Sequence, residues 1–163
     1  MSENNPLLAE LLVPERVSVG MHVNSKKRLL EEIAQVFCNY QQGLDRDTVF
    51  QILFERERLG STGIGNHVAL PHGRINGLSQ PLGMMATLRN PLDYDAIDQQ
   101  PVSFVFGLLV PAEADEKHLN ILALLARMFS DNRFVASLAK ASDNVALMNI
   151  FLHWEPLRSL GTN

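Results

Sequence analysis

Features that would assign a chain of this size to a secreted, nucleic-acid-binding or membrane protein are missing from the sequence. Its single cysteine, Cys38, cannot form a disulfide within the chain. The net charge is −4 and no basic stripe is present, which argues against nucleic acid as a partner. No apolar run approaches the ~20 residues that span a bilayer, and the first residues lack the basic region of a signal peptide. We therefore expect a cytoplasmic protein without a membrane-inserted segment.

The 163 residues, 46% of them hydrophobic, suffice for a single domain with its own core. Apolar positions at helical spacing predict helices over residues 7–12, 26–40, 47–59, 115–129, 132–140 and 142–154. Alternating or continuous apolar segments predict strands over residues 17–19, 67–70, 82–88 and 102–110. The last of these is apolar on both faces, so we expect it at the centre of a sheet. Because helices precede and follow the strands, the predicted fold is α/β, a mixed β-sheet flanked by helices on its faces.

A glycine-rich segment, residues 60–73, reads GSTGIGNHVALPHG and is the most unusual part of the chain. Its glycines match the spacing of a phosphate-binding P-loop, but Asn66 and His67 replace the lysine and the hydroxyl residue of that motif. The segment also follows a predicted helix and enters a predicted strand, whereas a P-loop follows a strand and opens a helix. These departures disfavour a nucleoside triphosphatase.

Two further kinds of site are also disfavoured. The sequence around Ser61 lacks the G-x-S-x-G spacing of a serine hydrolase. His67 and His72 are five residues apart, and no carboxylate or cysteine completes a metal-ligand set with them. We expect neither a metal nor another cofactor.

The remaining possibility is a site in which a histidine is itself the nucleophile. Neutral imidazole, with a pKa near ~6.5, attacks phosphorus at physiological pH. Such a site needs stabilisation of the phosphoryl oxygens, which loop N–H groups, small hydroxyls and an arginine would provide. Pro71 restrains the backbone before His72, and Gly73 would let a partner's phosphohistidine approach. Arg56, late in the preceding helix, would hold the phosphoryl group.

Residues 60–74, GSTGIGNHVALPHGR, resemble the phosphorylation-site segment of the fructose/mannitol class of enzyme IIA proteins, which belong to the phosphoenolpyruvate-dependent phosphotransferase system. The stretches VNSKKRLLEEIA, FERERLGS and LLVPAEADEKHLNILALLARMF extend the resemblance over about residues 7–152, and they favour its nitrogen regulatory (PtsN-type) branch. The resemblance implies a phosphotransferase/anion-transport-like fold and one IIA domain over residues 1–163. We expect residues 155–163 to be frayed.

The resemblance also implies roles for individual residues. It implies that His72 is phosphorylated on Nε2, with Arg56 beside it and His118 as a second histidine near the phosphoryl group. A glycine-loop pocket for the phosphoryl group would consist of Ser61, Thr62, Gly63, Gly65 and Gly73. His67 stands where related sequences commonly have a small residue, and it would modulate the site only if its side chain faced the pocket.

The predicted function is that of a phosphocarrier and regulatory protein, in which phosphoryl transfer is regulatory rather than metabolic. The resemblance implies an HPr-like carrier, NPr, as the phosphoryl donor, and potassium transporters or sensor kinases as regulated targets. Two alternatives stay open. One is a sugar-specific IIA component that passes its phosphoryl group to a IIB domain. The other is a binding-only module whose histidine is not phosphorylated.

Overall fold

Six strands form a mixed sheet in the order β1–β5–β6–β3–β2, and β4 also pairs with β6. The computed structural model describes residues 6–113 and 116–156, without the side chains of residues 117 and 118. The strands are β1 (Val17–Met21), β2 (Gly63–Gly65), β3 (Val68–Ala69), β4 (His72–Ile75), β5 (Leu82–Leu92) and β6 (Val102–Pro111). Strand β6 pairs with β3, β4 and β5, which confirms the central position predicted from its apolar residues.

The helices of the described part are α1 (Pro6–Leu11), α2 (Lys26–Asn39), α3 (Arg46–Arg58), α4 (Glu116–Phe129), α5 (Asn132–Leu138) and α6 (Asn144–Leu152). A short 3₁₀ helix, Pro14–Arg16, leads from α1 into β1. Side chains of Ser25, Asp45, Asp131 and Asp143 cap the first turns of α2, α3, α5 and α6. All six predicted helices are present, with ends that differ by up to two residues. The tail prediction for residues 155–163 lies largely outside the described residues.

Helices cover both faces of the sheet, as predicted. On one face α1, α4, α5 and α6 enclose a core in which the Phe106 ring stacks on Phe151 with centroids 5.1 Å apart. On the other face α2 and α3 bury apolar side chains against β5 and β6. Each side chain removed from water in these cores stabilises the fold by about 1.5–3 kcal/mol. The result is a single α/β domain with a two-sided core.

The glycine-rich segment is more regular than predicted. Residues 67–70 were expected to form a strand, but the strand comprises only Val68–Ala69. Asn66 and His67 have φ values of 58° and 65°, so they form the two-residue turn of a hairpin between β2 and β3. Part of the predicted open loop is therefore a β-hairpin.

The end of β5 also differs from the prediction. The sequence predicts a strand that ends at residue 88, but β5 continues through Pro91 to Leu92. The pairing of β5 with β6 is irregular between Thr87 and Leu92, and a proline without an N–H group is tolerated at such an interruption.

Candidate functional site

A cavity of about 450 Å³ lies at the edge of the sheet, between α3, β4 and α4. Strand β4 begins with His72 and runs parallel to β6, where His72 is the register partner of Leu108. Helix α3 packs against β4 from one side. The cavity is lined by Ile52, Glu55, Arg56, Leu59, His72, Gly73, Arg74, Leu108, Val110, Leu119 and Leu122. Its wall is thus mainly apolar, with a histidine and arginines among the polar groups.

The imidazole of His72 is half-buried and has a defined tautomer. Its Nδ1 lies 2.7 Å from the carbonyl oxygen of Leu70. Because a carbonyl can only accept a hydrogen bond, Nδ1 carries the proton and Nε2 keeps a free lone pair when the ring is neutral. Burial lowers the pKa of His72, and the nearby positive charge of Arg56 lowers it further, against opposing contributions from Leu70 and Glu57. The ring is therefore neutral, with a nucleophilic Nε2, at physiological pH.

Two arginines line the cavity with His72. Arg56 lies in the last turn of α3, where its Nη1 donates a hydrogen bond to the carbonyl of Gly60 at 3.0 Å. Arg74 is exposed in β4. Arg74 was not among the predicted site residues, although a residue two positions after His72 in a strand points to the same face. Both guanidinium groups therefore share a cavity with the imidazole of His72.

The first part of the glycine loop packs into the protein and does not line the cavity. The N–H of Thr62 is bonded to Glu57 Oε1 at 2.9 Å, and the N–H of Gly63 to Ser61 Oγ at 3.1 Å. The Thr62 hydroxyl is buried and donates to Glu57 Oε2 at 2.5 Å. Among the described residues that line the cavity, Ser61, Thr62, Gly63 and Gly65 are absent. This placement differs from the predicted phosphate cradle, because the N–H groups of Thr62 and Gly63 and the hydroxyl of Thr62 have partners within the protein.

Glycine at positions 63 and 73 permits close packing. A Cβ atom on Gly63 would lie 2.6 Å from the Cβ of Ala96. A Cβ atom on Gly73 would overlap Cγ2 of Ile52, which lies on α3. Gly73 lines the cavity, and its lack of a side chain also brings α3, the helix of Arg56, against the strand of His72.

Glu57 is a buried residue of the site region that was not among the predicted site residues. Its carboxylate is bonded to Thr62, to the hydroxyl of Tyr94 at 3.1 Å and to Nζ of Lys26 at 2.8 Å. The spacing of Val49, Leu53 and Glu57, four residues apart each time, places Glu57 on the inward face of α3 and could have revealed it.

The remaining predicted histidines have different placements. His67 is exposed in the hairpin turn, and its Nδ1 lies 2.8 Å from the carbonyl of Pro101. It is not among the described residues that line the cavity. His118 belongs to α4 by its backbone, but its side chain lies outside the described part of the chain. Within residues 6–113 and 116–156, no three His, Cys, Asp or Glu side chains form a group that could hold a metal ion.

Comparison with known families identifies the fold and its branch. The family model of the phosphoenolpyruvate-dependent sugar phosphotransferase system, EIIA 2, matches residues 10–154. The chain belongs to this enzyme IIA family. A nitrogen regulatory protein of Pseudomonas aeruginosa is 43% identical over 121 residues, which cover 74% of this chain and 79% of the relative. The resemblance to the nitrogen regulatory branch is thereby confirmed.

A solved structure and a further relative extend the comparison. The crystal structure of nitrogen regulatory protein IIA-Ntr from Neisseria meningitidis superposes with a TM-score of 0.84 at 41% identity, covering 89% of this chain and 99% of that one. A fructose-specific EIIA component from Haloferax volcanii is 32% identical over 113 residues, which cover 69% of this chain and 73% of the relative.

In the described part of this chain, no helix combines the length and apolar character needed to cross a membrane.

Proposed function

We propose that this IIA protein is a phosphocarrier and regulator that accepts a phosphoryl group on Nε2 of His72. The observation that carries the proposal is the hydrogen bond from His72 Nδ1 to Leu70, which leaves Nε2 as the nucleophilic nitrogen of a ring that lines the cavity. Arg56 and Arg74 line the same cavity and would balance the charge of the phosphoryl group.

The reaction is a transfer between two imidazoles. The lone pair of His72 Nε2 attacks the phosphorus of a phosphohistidine on the donor protein. A new N–P bond forms, the N–P bond of the donor breaks, and its electron pair stays on the donor nitrogen. Nδ1 of His72 keeps its proton and its hydrogen bond to the Leu70 carbonyl, which stabilises the positive charge that the phosphorylated ring acquires.

The donor in this proposal is a small HPr-like carrier, the NPr of the nitrogen branch, and the exchange takes place in the cytoplasm. A phosphoryl group adds nearly two negative charges next to the apolar wall of the cavity. Partners that bind the apolar wall would lose affinity for the phosphorylated protein, and partners with a matching cation would gain it. Potassium transporters and sensor kinases are the proposed classes of target.

Intact-mass measurement tests phosphorylation directly. The wild type and His72→Ala are incubated with enzyme I, phosphoenolpyruvate and the carrier. The wild type should gain an acid-labile ~80 Da, the mass of one phosphoryl group on histidine, and His72→Ala should not. His67→Ala is the matched control, because His67 lies outside the cavity, and it should gain the same mass as the wild type. No gain in the wild type with active carriers would leave a binding-only module.

A sugar-specific IIA component is the second candidate function. It is favoured by the match to the fructose-specific component of Haloferax volcanii, at 32% identity. The phosphorylated protein is mixed with purified IIB domains, and the phosphoryl group on each chain is followed by intact mass. Retention of the phosphoryl group on this protein supports the regulatory function, whereas its rapid transfer to a IIB domain supports the sugar-specific function.

A further inference from the structure

A continuous series of hydrogen bonds connects Glu57 to the imidazole of His72. Thr62 donates its N–H to Glu57 Oε1 at 2.9 Å and its hydroxyl to Oε2 at 2.5 Å. The carbonyl of Thr62 accepts the N–H of Leu70 at 2.9 Å. The carbonyl of Leu70 in turn accepts Nδ1–H of His72 at 2.7 Å. Glu57 thus reaches the reactive ring through Thr62 and Leu70.

The carboxylate at the start of this series is held firmly. Glu57 is 7% exposed, and Lys26 and Tyr94 bind the same carboxylate as Thr62. Burial raises the pKa of Glu57, but the bonds from Lys26 and Thr62 outweigh it, so the pKa lies below its ordinary value. Loss of a hydrogen-bond donor would leave a buried charge unsatisfied, at a high cost in free energy. The bonds to Glu57 therefore hold Thr62 in one position.

Leu70 lies between two residues that are held by β6. Ala69 is the register partner of Val105, and the carbonyl of Pro71 accepts the N–H of Leu108 at 3.0 Å. The N–H of Leu70 is bonded to Thr62, and its buried side chain packs in the core. The position of Thr62 therefore contributes to the direction of the Leu70 carbonyl, together with the bond between Pro71 and β6.

We propose that Glu57 is a positioning residue for His72: by holding Thr62, it fixes the Leu70 carbonyl that keeps the proton of the ring on Nδ1 and leaves Nε2 free. The inference rests on the function proposed above and deepens it. If the Leu70 acceptor moves, the neutral ring can carry its proton on Nε2, and that nitrogen then has no lone pair for attack on phosphorus. A displacement of a reacting group by ~1 Å costs about 10²-fold in rate.

Four variants separate positioning from stability. Thr62→Val keeps the size and backbone N–H of the residue but removes its hydroxyl, and Glu57→Gln keeps the shape of the side chain but removes its charge. Thr62→Ser restores the hydroxyl and is the conservative control. Leu138→Ala creates a cavity in the core on the other face of the sheet and controls for loss of stability alone.

Two measurements are made on each folded variant. Nitrogen NMR of isotope-labelled protein at neutral pH gives the tautomer of His72, and single-turnover reactions with excess phosphorylated carrier give the rate of phosphoryl transfer. We expect the wild type, Thr62→Ser and Leu138→Ala to keep the Nδ1–H tautomer and similar rates. In Thr62→Val and Glu57→Gln the population should shift towards Nε2–H, and the rate should fall by at least about 10-fold.

An unchanged tautomer and rate in folded Thr62→Val and Glu57→Gln would overturn the positioning role. If Glu57→Gln does not fold, the comparison of Thr62→Val with Thr62→Ser decides the question. The NMR measurement needs no phosphoryl transfer. A wild type that accepts no phosphoryl group would therefore contradict the proposed function, while the tautomer would still decide the role of Glu57.

Discussion

At the scale of single residues, the chemistry of the site depends on how the environment of His72 selects one protonation state and one nitrogen. Burial and the charge of Arg56 favour the neutral ring, and the Leu70 carbonyl favours the tautomer with a free Nε2. The same arginine can then bind the phosphoryl group. Arg56 would thus act before transfer, on the charge of the nucleophile, and after transfer, on the charge of the product.

Replacing Arg56 should change the titration of His72. The pKa of His72 in the wild type should lie below ~6.5, the usual value for histidine. In Arg56→Gln the pKa should rise, because a positive charge that disfavours the imidazolium has been removed. NMR titration of the His72 ring protons measures both values. Arg58→Gln is the matched control, since Arg58 is exposed on the same helix end and bonds to Glu55. Equal shifts in both variants would contradict a specific role for Arg56.

At the scale of secondary-structure elements, the site exists because α3 lies very close to β4. Helix α3 carries Arg56 into the cavity and Glu57 into the interior from adjacent positions, and β4 carries His72. Gly73 allows the close approach, because any side chain there would meet Ile52. The position of the helix relative to the strand therefore sets the position of the arginine relative to the histidine.

Gly73→Ala should separate the two elements. The new methyl group overlaps Ile52, so we expect a loss of about 1–3 kcal/mol in the free energy of unfolding, as for other overpacked sites. Chemical denaturation measures the loss. In the double variant Gly73→Ala with Ile52→Ala, the loss in the free energy of unfolding should be smaller than the sum of the losses in the two single variants, because the clash is removed. Additive costs in this double-mutant cycle would show that the two residues do not compete for space.

The β2–β3 hairpin should be sensitive to the residue at position 67. His67 has a φ of 65°, a conformation that is unfavourable for β-branched residues. His67→Val should therefore lower the free energy of unfolding by about 1–2 kcal/mol, whereas His67→Asn should be close to neutral. The two variants should be phosphorylated equally, because the turn lies outside the cavity. A slower reaction in folded His67→Asn would show that this histidine does influence the site.

At the scale of the whole molecule, much of the fold could be predicted from periodicity, because each element buries a regular apolar face. The covered strand 102–110 and the helix over residues 26–40 are examples. Local predictions failed where one interaction overrides the pattern. The turn at Asn66 and His67 shortens β3, and β5 contains Pro91 because its pairing with β6 is irregular there. The motif predicts His72 as the reactive residue, but the bond between Thr62 and Glu57 depends on how the loop folds back on α3, which periodicity does not reveal.

The pH dependence of folding stability should also report on the site. The folded-state pKa of His72 is lower than that of the unfolded chain, so the unfolded state binds the proton first as the pH falls below ~6.5. Stability should therefore decrease from pH ~6.5 down to the folded-state pKa of His72. Chemical denaturation at a series of pH values should show a smaller decrease in His72→Gln than in the wild type. Equal decreases in the two proteins would indicate that the pKa of His72 is not lowered.

Glu57 should affect folding stability in a second pH range, which lies below the range of His72. Its folded-state pKa is below the ordinary value, so its contribution is present above the unfolded pKa and is lost as the pH falls through the folded one. The acid transition measured by denaturation below pH ~4.5 should therefore be shallower in Glu57→Gln than in the wild type. Glu55→Gln, at an exposed position on the same helix, is the control and should retain the wild-type transition. A wild-type acid transition in Glu57→Gln would contradict the assigned environment of this carboxylate.

The most direct test of the central claim is to locate the phosphoryl group on the imidazole. Phosphorus and nitrogen NMR of the phosphorylated protein distinguish phosphorylation of Nε2 from phosphorylation of Nδ1 and identify the residue. Because Nδ1 of His72 is hydrogen-bonded to the Leu70 carbonyl, we expect a single phosphohistidine, at Nε2 of this residue. A phosphoryl group on Nδ1, or on any other histidine, would contradict it.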